Sequence, residues 1–156
     1  MDGVLLIAVF SAVSLYQTRN HTRGEVQAFS LESLDGGEVS VAALAGKPTL
    51  VVFWAPWCGV CHANADNVAR VAAWAGERAH VVSIASDYRS VEEVRRTAER
   101  EALPRPILLG GARTAREWGV TAFPTFFFLD AEGRITSSVV GYTTTAGLAA
   151  RLLLDS

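Results

Sequence analysis

The chain has 156 residues, half of them hydrophobic, with 14 basic against 16 acidic side chains and a formal net charge of −2, the size and composition of one domain with a substantial core. Lysine and arginine form no run beyond local pairs such as Arg95-Arg96, so the electrostatic footprint of a nucleic-acid binder is missing and no nucleic-acid partner is expected. No period repeats and no low-complexity tract appears.

In chain order, the first signal is the uncharged run Val4 to Tyr16, followed by the polar stretch Gln17 to Glu25. As a helix it rises about 20 Å against roughly 30 Å of bilayer hydrocarbon, closer to the apolar part of an export signal than to a full span. Asp2 stands where a basic leader is expected, while Arg19 and Arg23 lie on the far side. Residues 1–25 are expected to be a targeting or anchoring segment with a linker, and 26–156 the folded domain. Cleavage at Ala12-Val13-Ser14 and retention are both open, and a buried N-terminal helix is the competing reading.

Val26 to Leu34 reads as extended, and Asp35-Gly36-Gly37 is a turn before Glu38 to Val41, so the domain opens with a hairpin. Ala42 to Ala45 is a short helical turn ended by Gly46. Thr49-Leu50-Val51-Val52-Phe53-Trp54 is continuously apolar and rich in β-branched residues, the pattern of a strand buried on both faces. From Gly59 the pattern turns helical, with Val60, Val68, Val71, Ala72 and Trp74 on the apolar side and Gly76 just past the end. His80 to Ser86 is a second core strand, and Ser90-Val91-Glu92-Glu93 is a capping box opening a charged helix to about Ala102, its arginines and glutamates forming a solvated face. Pro104 and Pro106 end that helix, Ile107 to Leu109 is strand-like, and Ala112 to Trp118 is a helix closed by Gly119. Phe126 to Asp130 and Ile135 to Val140 form an antiparallel hairpin around Ala131-Glu132-Gly133-Arg134, and Thr143 to Leu154 is a final amphipathic helix. Strands alternating with helices, then a hairpin and a helix, predict an α/β fold with a mixed central sheet.

The chain's two cysteines, Cys58 and Cys61, sit at C-x-x-C spacing at the carboxyl end of the first core strand. Two thiols on the first turn of a helix can close and open a disulfide with little backbone movement. The unpaired N–H groups and positive end of the helix dipole favour a thiolate on the first of them. Cys58 is then the attacking sulfur and Cys61 the resolving one. A zinc half-site is a competing reading, but no second cysteine pair completes four ligands. Cys58-Gly59-Val60-Cys61-His62 also matches the attachment signature of c-type haem, with His62 on the iron and His21, His80 or Met1 opposite. Against it, the motif follows a strand-like run. A purely structural disulfide would close a loop too short to stabilise much.

The sequence Trp54-Ala55-Pro56-Trp57-Cys58-Gly59-Val60-Cys61, followed by Gly119-Val120-Thr121-Ala122-Phe123-Pro124-Thr125, resembles the thioredoxin superfamily over about residues 26–154. The N-terminal apolar segment, the leading hairpin and the 63 positions from Cys61 to Pro124 make it similar to the TlpA-like branch, membrane-tethered thiol–disulfide proteins of the cytochrome c maturation and suppressor-for-copper-sensitivity type. That interval leaves room for an extra strand and helix between the C-x-x-C motif and the proline. The resemblance implies that Pro124 is cis and faces the dithiol, and that the backbone of Phe123 pairs with an extended substrate segment. It implies protein substrates bearing a cysteine or disulfide, reduction outside the cytoplasm, a transmembrane thiol carrier as electron donor, and attachment to the bacterial inner membrane facing the periplasm. An exported soluble form is the alternative. The redox-active disulfide would serve without any cofactor or metal.

Trp54 and Trp57 are expected to wall the site, with Gly59, Val60 and His62 supporting it. Val60 restores an N–H that a proline would lack, one more donor for the thiolate. Thioredoxin carries a buried carboxylate at the position matching Val52, where valine can take no proton. Asp66 and Glu77 read as peripheral, so no proton acceptor is assigned to Cys61. His62 reads either as a cation near the thiolate or as a solvent-facing helix residue. An oxidase or isomerase would use the same residues, as would a metal-binding module built on Cys58, Cys61 and His62.

Overall fold

The computed structural model describes residues 28–154. The predicted targeting segment and linker at 1–25 lie outside the described residues, as do His21 and Met1. No helix among the described residues is long and apolar enough to cross a membrane.

The chain opens with strands β1 (Ser30–Glu32) and β2 (Glu38–Ser40), paired antiparallel around Gly36 and Gly37, both at positive φ. A 3-10 turn over Val41–Leu44, capped by the Ser40 side chain, leads to β3 (Thr49–Trp54), every residue of which is buried. Helix α1 (Gly59–Ala75) ends at Gly76, and β4 (His80–Ala85) follows. Next come α2 (Val91–Arg100), β5 (Ile107–Leu109) and α3 (Gly111–Glu117), so the interval before Pro124 accommodates the additional strand and helix expected there. Strands β6 (Thr125–Leu129) and β7 (Ile135–Val140) and helix α4 (Thr145–Leu154) complete the chain.

The main sheet has the order β5-β4-β3-β6-β7. β3, β4 and β5 run parallel, and β6 and β7 are antiparallel to their neighbours. Alternation along β3 divides the core. Leu50 and Val52 meet Val68 and Val71 of α1 and Leu148 and Leu152 of α4 on one face. Val51 and Phe53 meet Trp118 and the opening hairpin through Phe29 and Val41 on the other. A third cluster joins Val94 and Ala98 of α2 to Trp54, Cys58 and Cys61. Helices thus cover both faces of a mixed sheet, as predicted.

Four local expectations are corrected. The buried stripe of α1 runs through Cys61, Asn64, Ala65, Val68, Val71 and Ala75, which turns Val60 and Trp74 to solvent. Residue 60 lies one step, about 100° of helix rotation, from the stripe that begins at Cys61. The capping box is half formed: the Ser90 hydroxyl accepts from Glu93 N at 3.2 Å, but the Glu93 carboxylate reaches Arg89 N, at 2.9 Å, not the N–H of Ser90. Helix α2 stops at Arg100 because Ala102 takes φ 49°. There Leu103 N bonds Ala98 O and Ala102 N bonds Glu99 O, a Schellman closure with alanine where glycine is usual. At the other end of the chain, α4 starts at Thr145 because the Thr144 hydroxyl accepts from Gly147 N.

Candidate active site

β3 carries the chain to the carboxyl edge of the sheet, where Ala55-Pro56-Trp57 turn it into α1. Cys58 N donates to Ala55 O at 3.1 Å and Cys58 O accepts from His62 N at 3.2 Å, so Cys58 is the N-cap of α1. Its sulfur takes the place an aspartate or serine oxygen holds in an ordinary cap, accepting from Cys61 N at 3.1 Å. The donor is therefore the amide of Cys61, one residue beyond the Val60 amide nominated from sequence. Cys58 and Cys61 form a disulfide with Cα atoms 5.2 Å apart. Both cysteines are buried, Cys58 with 5 % of its surface exposed.

The second motif meets the first here. The Phe123–Pro124 peptide bond is cis, as the resemblance implies, and the Phe123 carbonyl oxygen lies 3.5 Å from Cys58 Sγ. A second cis bond, Arg105–Pro106, precedes β5. Trp57 is 62 % exposed and packs edge-on against Phe123, ring centroids 6.0 Å apart. Its Nε1 donates to the carbonyl and the carboxylate of Asp87, at 3.0 and 3.1 Å, so a loop after β4 fixes the indole. Trp54 is buried beneath the dithiol, so only Trp57 forms an outer wall. A Cβ added at Gly59 would meet nothing within 4 Å, and Val60 is exposed beside the site. Tyr88 packs against the cluster that holds Cys58; burial, then the Glu32 charge, pushes its phenol up and keeps it neutral.

His62 is not solvent-facing. The ring is half-buried, with Nε2 2.9 Å from Pro56 O and Nδ1 3.1 Å from Glu101 Oε1. Glu101 Oε1 also accepts from Arg100 Nε at 2.9 Å. Behind Cys61 lies a cavity of about 20 Å³, lined by Cys61, His62, Asn64 and Glu101 over a floor that includes Val52, Trp54 and Ser83. Asn64 Oδ1 accepts from Thr143 N at 2.8 Å, fixing the amide. Trp54 Nε1, Asn64 Nδ2 and Ser83 Oγ are buried with no hydrogen-bond partner among the described residues.

Asp87, Asn64, Ser83 and Glu101 were not nominated from sequence. Glu101 alone carried a signal: an acidic residue at a helix C-terminus opposes the dipole and calls for a local cation. His80, one haem-ligand candidate, is at the far end of β4, since Thr49 pairs with His80 and Trp54 with Ala85. Five residues of strand place it about 17 Å from the dithiol end. Among the described residues no three His, Cys, Asp or Glu side chains gather as a metal site.

The Redoxin family profile matches residues 22–152, and the chain belongs to that family. It is similar to the thioredoxin-like protein YneN of Bacillus subtilis (strain 168), 29 % identical over 165 residues that span 99 % of this chain and 97 % of that protein. Among solved structures it resembles MTB dsbF in its mixed oxidized and reduced forms, at 27 % identity and TM-score 0.73, covering 82 % of this chain and 95 % of that one. A secreted Mycobacterium tuberculosis disulfide oxidoreductase homologous to E. coli DsbE superposes with TM-score 0.70 at 28 % identity, covering 80 % of this chain and 94 % of its own. The chain is thus a thiol–disulfide oxidoreductase of the thioredoxin superfamily, of the TlpA-like kind.

Proposed function

We propose that this Redoxin-family oxidoreductase works outside the cytoplasm as a reductant of protein disulfides. The Cys58 thiolate attacks a substrate disulfide and releases one substrate thiolate. Cys61 then attacks Cys58 Sγ of the mixed disulfide, releases the second thiolate and leaves Cys58–Cys61 oxidised. The observation that carries this reading is the setting of Cys58 Sγ, at the N-cap of α1, under the Cys61 amide and 3.5 Å from the Phe123 carbonyl beside cis Pro124. An extended substrate segment laid along Phe123 brings its own sulfur against Cys58. Trp57 shields one side, Trp54 and His62 line the cavity beneath, and Gly59 and Val60 supply the first turn of α1 between the two sulfurs.

Electrons return from a transmembrane thiol carrier. Residues 1–25 hold the domain at the bacterial inner membrane, facing the periplasm, or direct its export. The redox-active disulfide needs no cofactor, and apocytochrome c or a copper-tolerance partner is the substrate class in view. One observation favours the opposite direction of flow: the Cys61 amide donates to Cys58 Sγ, and a donor that stabilises the Cys58 thiolate makes the disulfide a better oxidant.

The equilibrium potential of the pair, titrated against glutathione and dithiothreitol, separates the two. A value below about −200 mV supports the reductant, and one near about −120 mV the disulfide donor. The Cys61→Ser protein accumulates disulfide-linked partners and the Cys58→Ser protein none; no captured partner from Cys61→Ser under oxidising export conditions refutes the scheme.

A further inference from the structure

Resolution of a mixed disulfide requires the Cys61 thiol to lose a proton, and Val52 supplies no carboxylate beneath it. We propose that Glu101 is the proton acceptor for Cys61, reached through one water in the cavity behind that cysteine. The inference rests on the dithiol reading above and adds a residue that neither sequence motif contains.

The cavity joins the two groups, since Cys61 and Glu101 both line it. Its volume of about 20 Å³ suits one water, which needs roughly 10–15 Å³ and two to four polar partners. The wall supplies those partners. Trp54 Nε1 and Asn64 Nδ2 are buried donors without acceptors, and the Ser83 hydroxyl is buried beside them. Three such groups left without partners in one buried pocket would each be desolvated at a cost, which a bound water removes. A water accepting from Trp54 and Asn64 keeps both of its own protons for the Cys61 sulfur, the Ser83 hydroxyl or the Glu101 carboxylate.

The electrostatics fit the role. Glu101 Oε1 is held by His62 Nδ1 from α1 and Arg100 Nε from α2, while Oε2 has no hydrogen bond among the described residues. The other walls bring no charge: Val52, Ser83 and Phe126 from the sheet, Thr97 from α2 and Pro124. The His62 and Arg100 contacts fix Oε1 and orient the Glu101 carboxylate, leaving Oε2 to take the proton. Its side chain is 21 % exposed, so a proton taken from the cavity side can leave to solvent. The step balances: Cys61 Sγ–H gives its proton through the water to Glu101 Oε2, and the Cys61 thiolate attacks Cys58 Sγ. The substrate sulfur departs as a thiolate, and the carboxylic acid then releases its proton to that thiolate or to bulk water.

The test is rapid mixing of the full-length reduced protein with oxidised glutathione, resolving formation of the Cys58–glutathione adduct from its loss to Cys61 by acid quench and mass. In Glu101→Gln, adduct formation and Cys58 alkylation keep the wild-type pH profile. Adduct loss at neutral pH falls on the order of 10²-fold and recovers about tenfold per pH unit as hydroxide replaces the acceptor. Glu101→Asp restores part of the rate. Unchanged adduct loss in Glu101→Gln, or an equal fall of both steps at every pH, overturns the proposal. If the wild type forms no adduct, the dithiol reading itself fails, a distinct result. Should Glu101→Gln not fold, carbon-13 carboxyl spectra of the unaltered protein decide. The Glu101 signal steps as the Cys61 thiol ionises in the reduced protein and not in the oxidised one, and absence of that step overturns the proposal.

Discussion

Trp118→Ala is the sharpest probe of how the core supports the site. Trp118 caps α3 with 4 % of its surface exposed, and its ring centroid lies 5.0 Å from that of Phe127, 5.4 Å from Phe53 and 5.9 Å from Phe29. It therefore ties the central strands to the residue that leads into the opening hairpin. Truncating a buried tryptophan costs about 3–5 kcal/mol. Three ring contacts, each about 0.5–1.5 kcal/mol beyond simple burial, put this site at the upper end. For a domain of this size the melting temperature falls about 3–5 °C per kcal/mol, so a drop of roughly 10–25 °C is expected. Urea unfolding of the reduced protein gives the free energy and a thermal melt the temperature. Trp118→Phe, which keeps part of the ring stack, loses about half as much. A loss below about 1 kcal/mol for alanine, or equal losses for phenylalanine and alanine, would refute the view that this ring stack holds that face of the sheet together.

Three further outcomes follow from local geometry. Gly59→Ala is expected to leave stability unchanged or raise it by up to about 1 kcal/mol, because a Cβ there meets open space at negative φ; a clear loss in a urea titration contradicts this. Ala102→Gly should stabilise by about 0.5–1 kcal/mol by relieving the left-handed backbone at the end of α2, and a loss would show that Ala102 contributes packing instead. His80 has its pKa lowered by burial and, to a lesser degree, by Lys47. The neutral ring is favoured by folding, so its contribution is complete above the ordinary value of 6.5 and is lost as pH falls through the lower folded value. Urea midpoints at about pH 7.5 and 5.5 should differ more for the wild type than for His80→Gln.

The strands were the legible part of this fold. β3 and β7 stand at their predicted bounds, because a six-residue β-branched run and a turn at Gly133 leave few alternatives. α1 was legible as a helix but not in its orientation: alanines on every side give little contrast, and the polar Asn64 occupies a core position that no apolar pattern marks. The dithiol and the proline loop were readable because their chemistry depends on residue type and order. Their supports were not. Glu101 looked like one more solvated charge on α2 until the turn at Ala102 showed where the helix ends and its pairing with His62 brought it to the cavity. Asp87 holds Trp57 from a loop 30 positions away, a contact that only the completed sheet creates.

The opening hairpin also governs how the molecule behaves in company. β5 is the outermost strand on its side and only three residues long, and such an edge recruits strands from other chains unless something occupies its hydrogen-bonding groups. Here Leu34 N bonds Ile107 O at 2.8 Å, Ser33 bridges Leu108, Arg95 reaches Leu34 O, and Arg105 pairs with Asp35. Residues at the very start of the domain thus guard a strand more than seventy positions later. A shortened protein lacking Phe29 to Ser40 would keep both cysteines and their helix yet present a bare flank to its neighbours. Its failure would then register first as light scattering from aggregates, ahead of any defect in thiol chemistry.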